Sequence, residues 1–168
     1  GRVAAVGCST IAPCCLPVDE DNNPLRKAIL YGVDVRAAAQ IDRLNRELGH
    51  EAVVARFGTP ITSQSAAAKV LWIKEQEPDV YRRAARFVTG TTFLVARLTG
   101  QYVIDRYTAA TWVPLYDMAR GDWCEDTLPL FCRREQLARC LWTPEIAGFV
   151  TREAAEQTGL KPGTPVIT

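Results

Sequence analysis

The spacing of apolar positions changes several times along the chain, and each change marks a predicted element. RVAAVGCS is a run of Val and Ala that ends at Gly7-Cys8-Ser9 and predicts a strand. CLPV and LRKAILY flank a cluster of turn-forming residues at 19–24, which predicts a hairpin. The acidic residues of that cluster, Asp19, Glu20 and Asp21, fit a solvated turn better than a metal site. From Asp34 the period lengthens to that of a helix: VRAAAQIDRLNREL places Ile41, Leu44 and Leu48 on one face, with Asp34 as its cap and Gly49 as its stop. SQSAAAKVLWIKEQEP predicts a second helix, entered through Ser63 or Ser65 and ended before Pro78. PDVYRRAARFV predicts a third, with Val80, Ala84 and Phe87 on one stripe, and TTFLVARLTG a fourth, closed by Gly100.

The stretch GQYVIDRYTAATWVPLYD, residues 100–117, fits neither period. It is too polar for a core strand and too β-branched for a clear helix, so it either covers a core or lines a pocket. ARGDWCEDTLPLF predicts a turn and a helix. In TREAAEQTGLKPGTPVIT, Thr151 caps a final helix, Gly159 ends it and KPGTP turns into a strand. No repeat or low-complexity segment interrupts this order, and the elements together predict a mixed α/β domain with helix-rich insertions.

Composition narrows the function classes. A chain of 168 residues, 48% hydrophobic and 23% charged, with net charge +1, is long enough for one core and carries no basic excess for nucleic acid. No apolar run has the roughly 18–20 residues of a membrane span. Six cysteines at irregular spacing, with no CxxC and with His50 as the single histidine, predict reduced structural thiols and no tetrahedral metal site. With no signal-peptide pattern, a cytoplasmic protein is expected. The start at GRVAAVGCST and the end at GTPVIT suggest a piece of a longer protein.

The usual phosphate loop, dinucleotide loop and serine-elbow motifs are absent. The first stretch that reads as a site is ILYGVDVRA. It predicts a buried strand over 28–31 leading to Tyr31, Gly32, Asp34 and Arg36. In this arrangement the carboxylate and guanidinium hydrogen-bond a polyhydroxyl ligand while Tyr31 stacks on its apolar face. The plainer alternative is a helix cap with a surface arginine. In SQSAAAKVLWIKEQEP, Lys69, Trp72, Glu75 and Gln76 read by default as an amphipathic helix with its Trp buried.

Lys69-Val70-Leu71-Trp72-Ile73-Lys74-Glu75-Gln76 resembles the second half of the first signature of the FGGY carbohydrate kinases. PVDEDNNPLRKAILYGVDVRA, FLVARLTGQYVIDRYTAAT, PLYDMARGDW and AAEQTGLKPGTPVIT resemble further blocks of that family, in the family's own order and over nearly the whole chain. Gln64 and Ala66 depart from the first half of the signature, and Gly32-Val33 adds one residue between Tyr31 and Asp34. These departures bear on the substrate more than on the family.

The resemblance implies an actin-like (ribonuclease H-like) ATPase fold, with residues 1–168 as a single partial N-terminal domain and the ATP-binding domain elsewhere. It implies phosphoryl transfer from ATP, with Mg²⁺, to a hydroxyl of a sugar or polyol, a pentulose-type substrate being favoured. The general-base aspartate is expected just after Thr168, so no catalytic residue is assigned within the chain. Substrate contacts carried over by the resemblance fall on Tyr31, Asp34, Arg36 and Tyr107, with Asp105 open between pocket and turn. Trp112, Leu115 and Tyr116 are assigned to the core. A homodimer is compatible with the family. The alternatives are a non-catalytic sugar-binding or regulatory relative of the kinases, and an unrelated structural α/β module.

Overall fold

The computed structural model describes residues 3–168; Arg2, at the head of the predicted first strand, lies outside them. Within the first apolar run only Val6–Gly7 (β1) is extended and paired, and Leu16–Val18 (β2) follows, fully buried. The predicted hairpin exists as two isolated antiparallel bridges, Cys15 with Ile29 and Val18 with Pro24. Its turn is held by the Asp19 carboxylate, which accepts the backbone N–H groups of Asp21 and Asn23. Residues 28–31 do not form the predicted buried strand: Ile29 is buried and bridged, while Leu30 is exposed.

Ala38–Leu48 (α1) starts later than predicted. Ala37 takes the cap position without a side-chain bond, because the Asp34 carboxylate is occupied by Arg36. Gly49 ends the helix at φ 77°, a conformation that glycine adopts at little cost. The chain passes directly into His50–Phe57 (α2), which the sequence pattern does not predict; eight residues with no capping side chain are too few to show a period. Ala66–Gln76 (α3) matches its prediction. Pro78–Arg83 (α4) is shorter than predicted, since Arg86–Val88 (β3) is a strand rather than the end of that helix. Pairing with β2, Phe87 opposite Pro17, outweighs the helical spacing of a short stripe. Gly90–Thr99 (α5) is capped by the Thr89 hydroxyl, which accepts the Thr92 N–H, and stopped by Gly100 in the left-handed region.

The ambiguous stretch resolves into Val103–Asp105 (β4), Arg106–Ala109 (α6) and Tyr116–Asp117 (β5). Asp122–Trp123 (β6) pairs back on β5, and Leu128–Phe131 (α7) follows. Arg139–Leu141 (β7) and Gly148–Phe149 (β8) are strands too short to be read from alternation. Arg152–Thr158 (α8), capped by Thr151 and ended by Gly159, leads to Pro165–Ile167 (β9), as predicted.

The three-stranded sheet has the order β1-β9-β8, with β1 parallel and β8 antiparallel to β9. β4 and β7 form a separate parallel pair in which Asp105 stands opposite Leu141. α5 and α8 cover these strands and bury Val95, Ala154 and Ala155 with Val103, Leu141 and Val166. The larger core lies among α1, α2, α3 and α7, where Trp112 and Trp123 meet edge to face at 5.8 Å. Trp112, Leu115 and Tyr116 are buried there as predicted, whereas Trp72 is only half-buried, at the solvent edge of α3. All six cysteines are free thiols, and burial pushes Cys132 and Cys140 up to about 12. Among the described residues no helix is long and apolar enough to cross a membrane.

Phe87 is fully buried where β3 meets the larger core. Phe87→Ala is expected to cost about 3–5 kcal/mol in urea denaturation. A loss under about 1 kcal/mol would show that the β2–β3 pair is peripheral to the core.

Candidate functional site

The carboxyl ends of four strands converge on one cavity of about 600 Å³. Gly7 and Cys8 reach it from β1, Asp105 and Tyr107 from β4 and the turn after it, Thr143 from just beyond β7, and Thr168 from just beyond β9. Ligands of α/β folds bind outside the carboxyl ends of parallel strands, where chain reversals leave a crevice lined by loops. The remaining wall comes from the loop after β1 and the start of α5. There Thr10 and Thr91 hydrogen-bond through their hydroxyls at 3.1 Å. Gly90 permits this approach, since a Cβ at that position would lie 2.6 Å from the Thr10 hydroxyl oxygen.

Asp105 ends β4 and caps α6, its Oδ1 accepting the Thr108 N–H at 2.8 Å. It thus serves the turn and lines the cavity at once. Tyr107 is 84% exposed and forms part of the wall, with its ring uncovered by the core.

The other three residues singled out from the sequence are grouped elsewhere. Asp34 and Arg36 pair bidentately, Oδ1 accepting from Nε at 2.8 Å and Oδ2 lying 2.8 Å from Nη2. The Arg36 guanidinium stands 4.9 Å from the Trp72 ring centroid, and Arg26 lies 5.7 Å from the same ring. Tyr31 is half-buried just ahead of this pair. None of Tyr31, Asp34 and Arg36 lines the cavity that Tyr107 lines. Beneath them Lys69 is buried to 1% exposure, its Nζ donating to the Ser63 carbonyl at 2.9 Å, and burial lowers its pKa.

A family model for the N-terminal domain of the FGGY family of carbohydrate kinases matches residues 1–168. The chain belongs to the FGGY carbohydrate kinases. It is 26% identical over 167 residues to a gluconokinase of Bacillus subtilis, covering 99% of this chain and 32% of that protein. An autoinducer-2 kinase of Klebsiella pneumoniae subsp. pneumoniae is 29% identical over 172 residues, with 99% of this chain and 32% of that protein covered. The xylulose kinase from Rhodospirillum rubrum superposes with a TM-score of 0.89 at 30% identity, over 97% of this chain and 33% of that one. The FGGY chain thus spans about a third of the length of these relatives. Its fold is that of FGGY N-terminal domains, an actin-like ATPase fold.

Sequence reasoning singled out Tyr107 and left Asp105 open between pocket and turn, but it did not single out Thr10, Thr91 and Thr143, which line the same cavity. Isolated threonines in unrelated segments carry no local signal, and only the parallel pairing of distant strands brings them together.

Hydrogen bonding from Arg36 holds the Asp34 carboxyl below its usual range. A carboxyl depressed in the folded state stabilises the fold above its unfolded pKa of about 4, and that contribution is lost as pH falls through the lower folded value. Asp34→Asn should therefore lose less melting temperature than the parent between about pH 5 and about pH 3. Equal losses in a differential scanning measurement would remove the ion pair from the acid response.

Proposed function

We propose that this chain is the sugar-side part of an ATP-dependent carbohydrate kinase. The intact protein transfers the γ-phosphoryl group of ATP to a hydroxyl of a sugar or polyol, with a pentulose-type acceptor favoured. The observation that carries this reading is the cavity at the carboxyl ends of β1, β4, β7 and β9, in a chain of the FGGY family. Its wall offers hydroxyls, one carboxylate and an exposed aromatic ring, which together suit a polyhydroxyl ligand with an apolar C–H face.

Within this reading Tyr107 stacks on the sugar and Asp105 accepts one of its hydroxyls. Asp34 and Arg36, engaged with each other and with Trp72, position the segment leading into α1. Residues 1–168 then form one partial domain. Thr168 lies in the cavity wall, which supports a general-base aspartate immediately beyond it. The described residues contain no cluster of three or more His, Cys, Asp or Glu side chains able to hold a metal. In this reading the nucleotide and its Mg²⁺ are bound mainly by parts of the intact protein outside residues 1–168. The work of this chain is to bind and orient the acceptor hydroxyl, a large share of catalysis in phosphoryl transfer. A cytoplasmic location belongs to the same reading, supported by the six free thiols.

The test is an ADP-coupled assay of the full-length protein against pentuloses, hexoses and polyols. Tyr107→Ala is expected to raise the KM for the sugar about tenfold while leaving the KM for ATP nearly unchanged. Equal effects on both would count against a sugar-side role. Saturable sugar binding with no turnover in the parent would favour the non-catalytic relative instead.

A further inference from the structure

We infer that the cavity selects an uncharged polyhydroxyl acceptor and rejects sugar acids. The inference rests on the reading of this cavity as the sugar site. Relatives named for a sugar acid and for a neutral ketose both match this chain, so membership of the family leaves the choice open.

Apart from Asp105, the polar side chains of the wall are hydroxyls: Ser9, Thr10, Thr91, Thr108, Thr143 and the phenol of Tyr107, while the Thr168 hydroxyl is buried behind it. Each hydroxyl both donates and accepts, the pattern that vicinal sugar hydroxyls complement. Asp105 is the single carboxylate of the wall, and among the described residues no Lys, Arg or His side chain lines it. Arg106 follows Asp105 in sequence, yet its guanidinium lies over the Trp142 ring, 4.7 Å from the centroid, and packs close against Gly121. The cation adjacent in sequence is thus held outside the wall.

A substrate carboxylate placed here would lose water without gaining a cation, and it would face the like charge of Asp105. A neutral diol meets the opposite situation. Asp105 Oδ1 is fixed by the Thr108 N–H, and Oδ2, with no partner among the described residues, is open to accept a sugar hydroxyl. The same carboxylate therefore attracts one class of ligand and repels the other.

The test compares D-xylulose, D-ribulose, ribitol and glycerol with D-gluconate and D-xylonate in the ADP-coupled assay of the full-length protein. Thermal-shift titrations of the same compounds record binding without turnover. The best neutral compound is expected to exceed both acids in kcat/KM by about 100-fold or more, the scale of a like-charge juxtaposition. Thr143 is exposed, so Thr143→Arg places a cation on the wall with little demand on packing. It should narrow the neutral-to-acid ratio by about tenfold, through a lower KM for the acids. Acids used as well as the best neutral compound would overturn the inference and leave the kinase reading standing. An unchanged ratio in Thr143→Arg would overturn the part assigned to wall charge. If neither class binds or reacts, the sugar-site reading falls and this inference falls with it.

Discussion

Parallel pairing between distant segments is the constraint on which the site depends. β1 and β9 come from the two ends of the chain, and Val6 stands opposite Val166. β4 and β7 pair in the same sense, Val103 opposite Arg139. Parallel neighbours cannot be joined by tight turns, so each pair encloses a long crossover that must pack somewhere. The β1–β9 connection includes α5 and α8, which pack with a compact apolar face, Val95, Ala154 and Ala155 meeting Val103, Leu141 and Val166. The β4–β7 connection runs through α6, β5, β6 and α7 into the larger core. Once this packing aligns the strands, their carboxyl ends open on one side, and the loops that follow have no other place to go. The cavity is a consequence of topology before it is a matter of side chains.

The helical layer is organised around α3, which is buried on nearly every side from Ala66 to Leu71. Three successive alanines let neighbouring backbones approach closely, and the Ala66 N–H donates to the Thr111 carbonyl. Lys69 is the exception in this apolar setting. Taking an ammonium out of water costs several kcal/mol unless its protons find acceptors. The Ser63 carbonyl is one such acceptor, which ties the loop ahead of α3 to the helix. One turn further on, Trp72 leaves the core and offers its face to Arg26 and Arg36. The signature residues Lys69 and Trp72 thus act as a joint between the core and the Asp34–Arg36 pair.

The sequence revealed those elements whose ends carry chemistry of their own. α8 was legible from its Thr151 cap and Gly159 stop, and α5 from its Gly100 stop. β9 was legible from its turn and its β-branched run. The errors share a physical cause, namely that pairing or ion pairing overrode a local pattern. β3 reads as helix until β2 is available as its partner. Asp34 reads as a helix cap until Arg36 occupies its carboxylate. β7 and β8 are too short to show alternation at all, and α2 begins without a capping side chain. The same limit governs the candidate site. Tyr107 and Asp105 stand in one recognisable block, whereas the threonines of the opposite wall are scattered and become neighbours only after folding.

Tyr107 shows how the stretch that first resisted classification divides between the core and the cavity wall. Trp112, Leu115 and Tyr116 are buried and join the packing around Trp123, so their aromatic and apolar area serves stability. Tyr107 lies a few residues away with 84% of its surface in solvent, and burial gives it almost no part in holding the domain together. An aromatic ring left in water at the mouth of a cavity gains its apolar contact only when a ligand covers it. Asp105 differs in kind, since it lines the cavity with one oxygen fixed in the cap of α6 and the other without a hydrogen-bond partner among the described residues. The rigid end of β4 therefore sets the carboxylate in place, and the short turn after it presents the ring. A sugar entering the cavity would meet an anchored acceptor and an uncovered hydrophobic face, and neither has to be taken from the core.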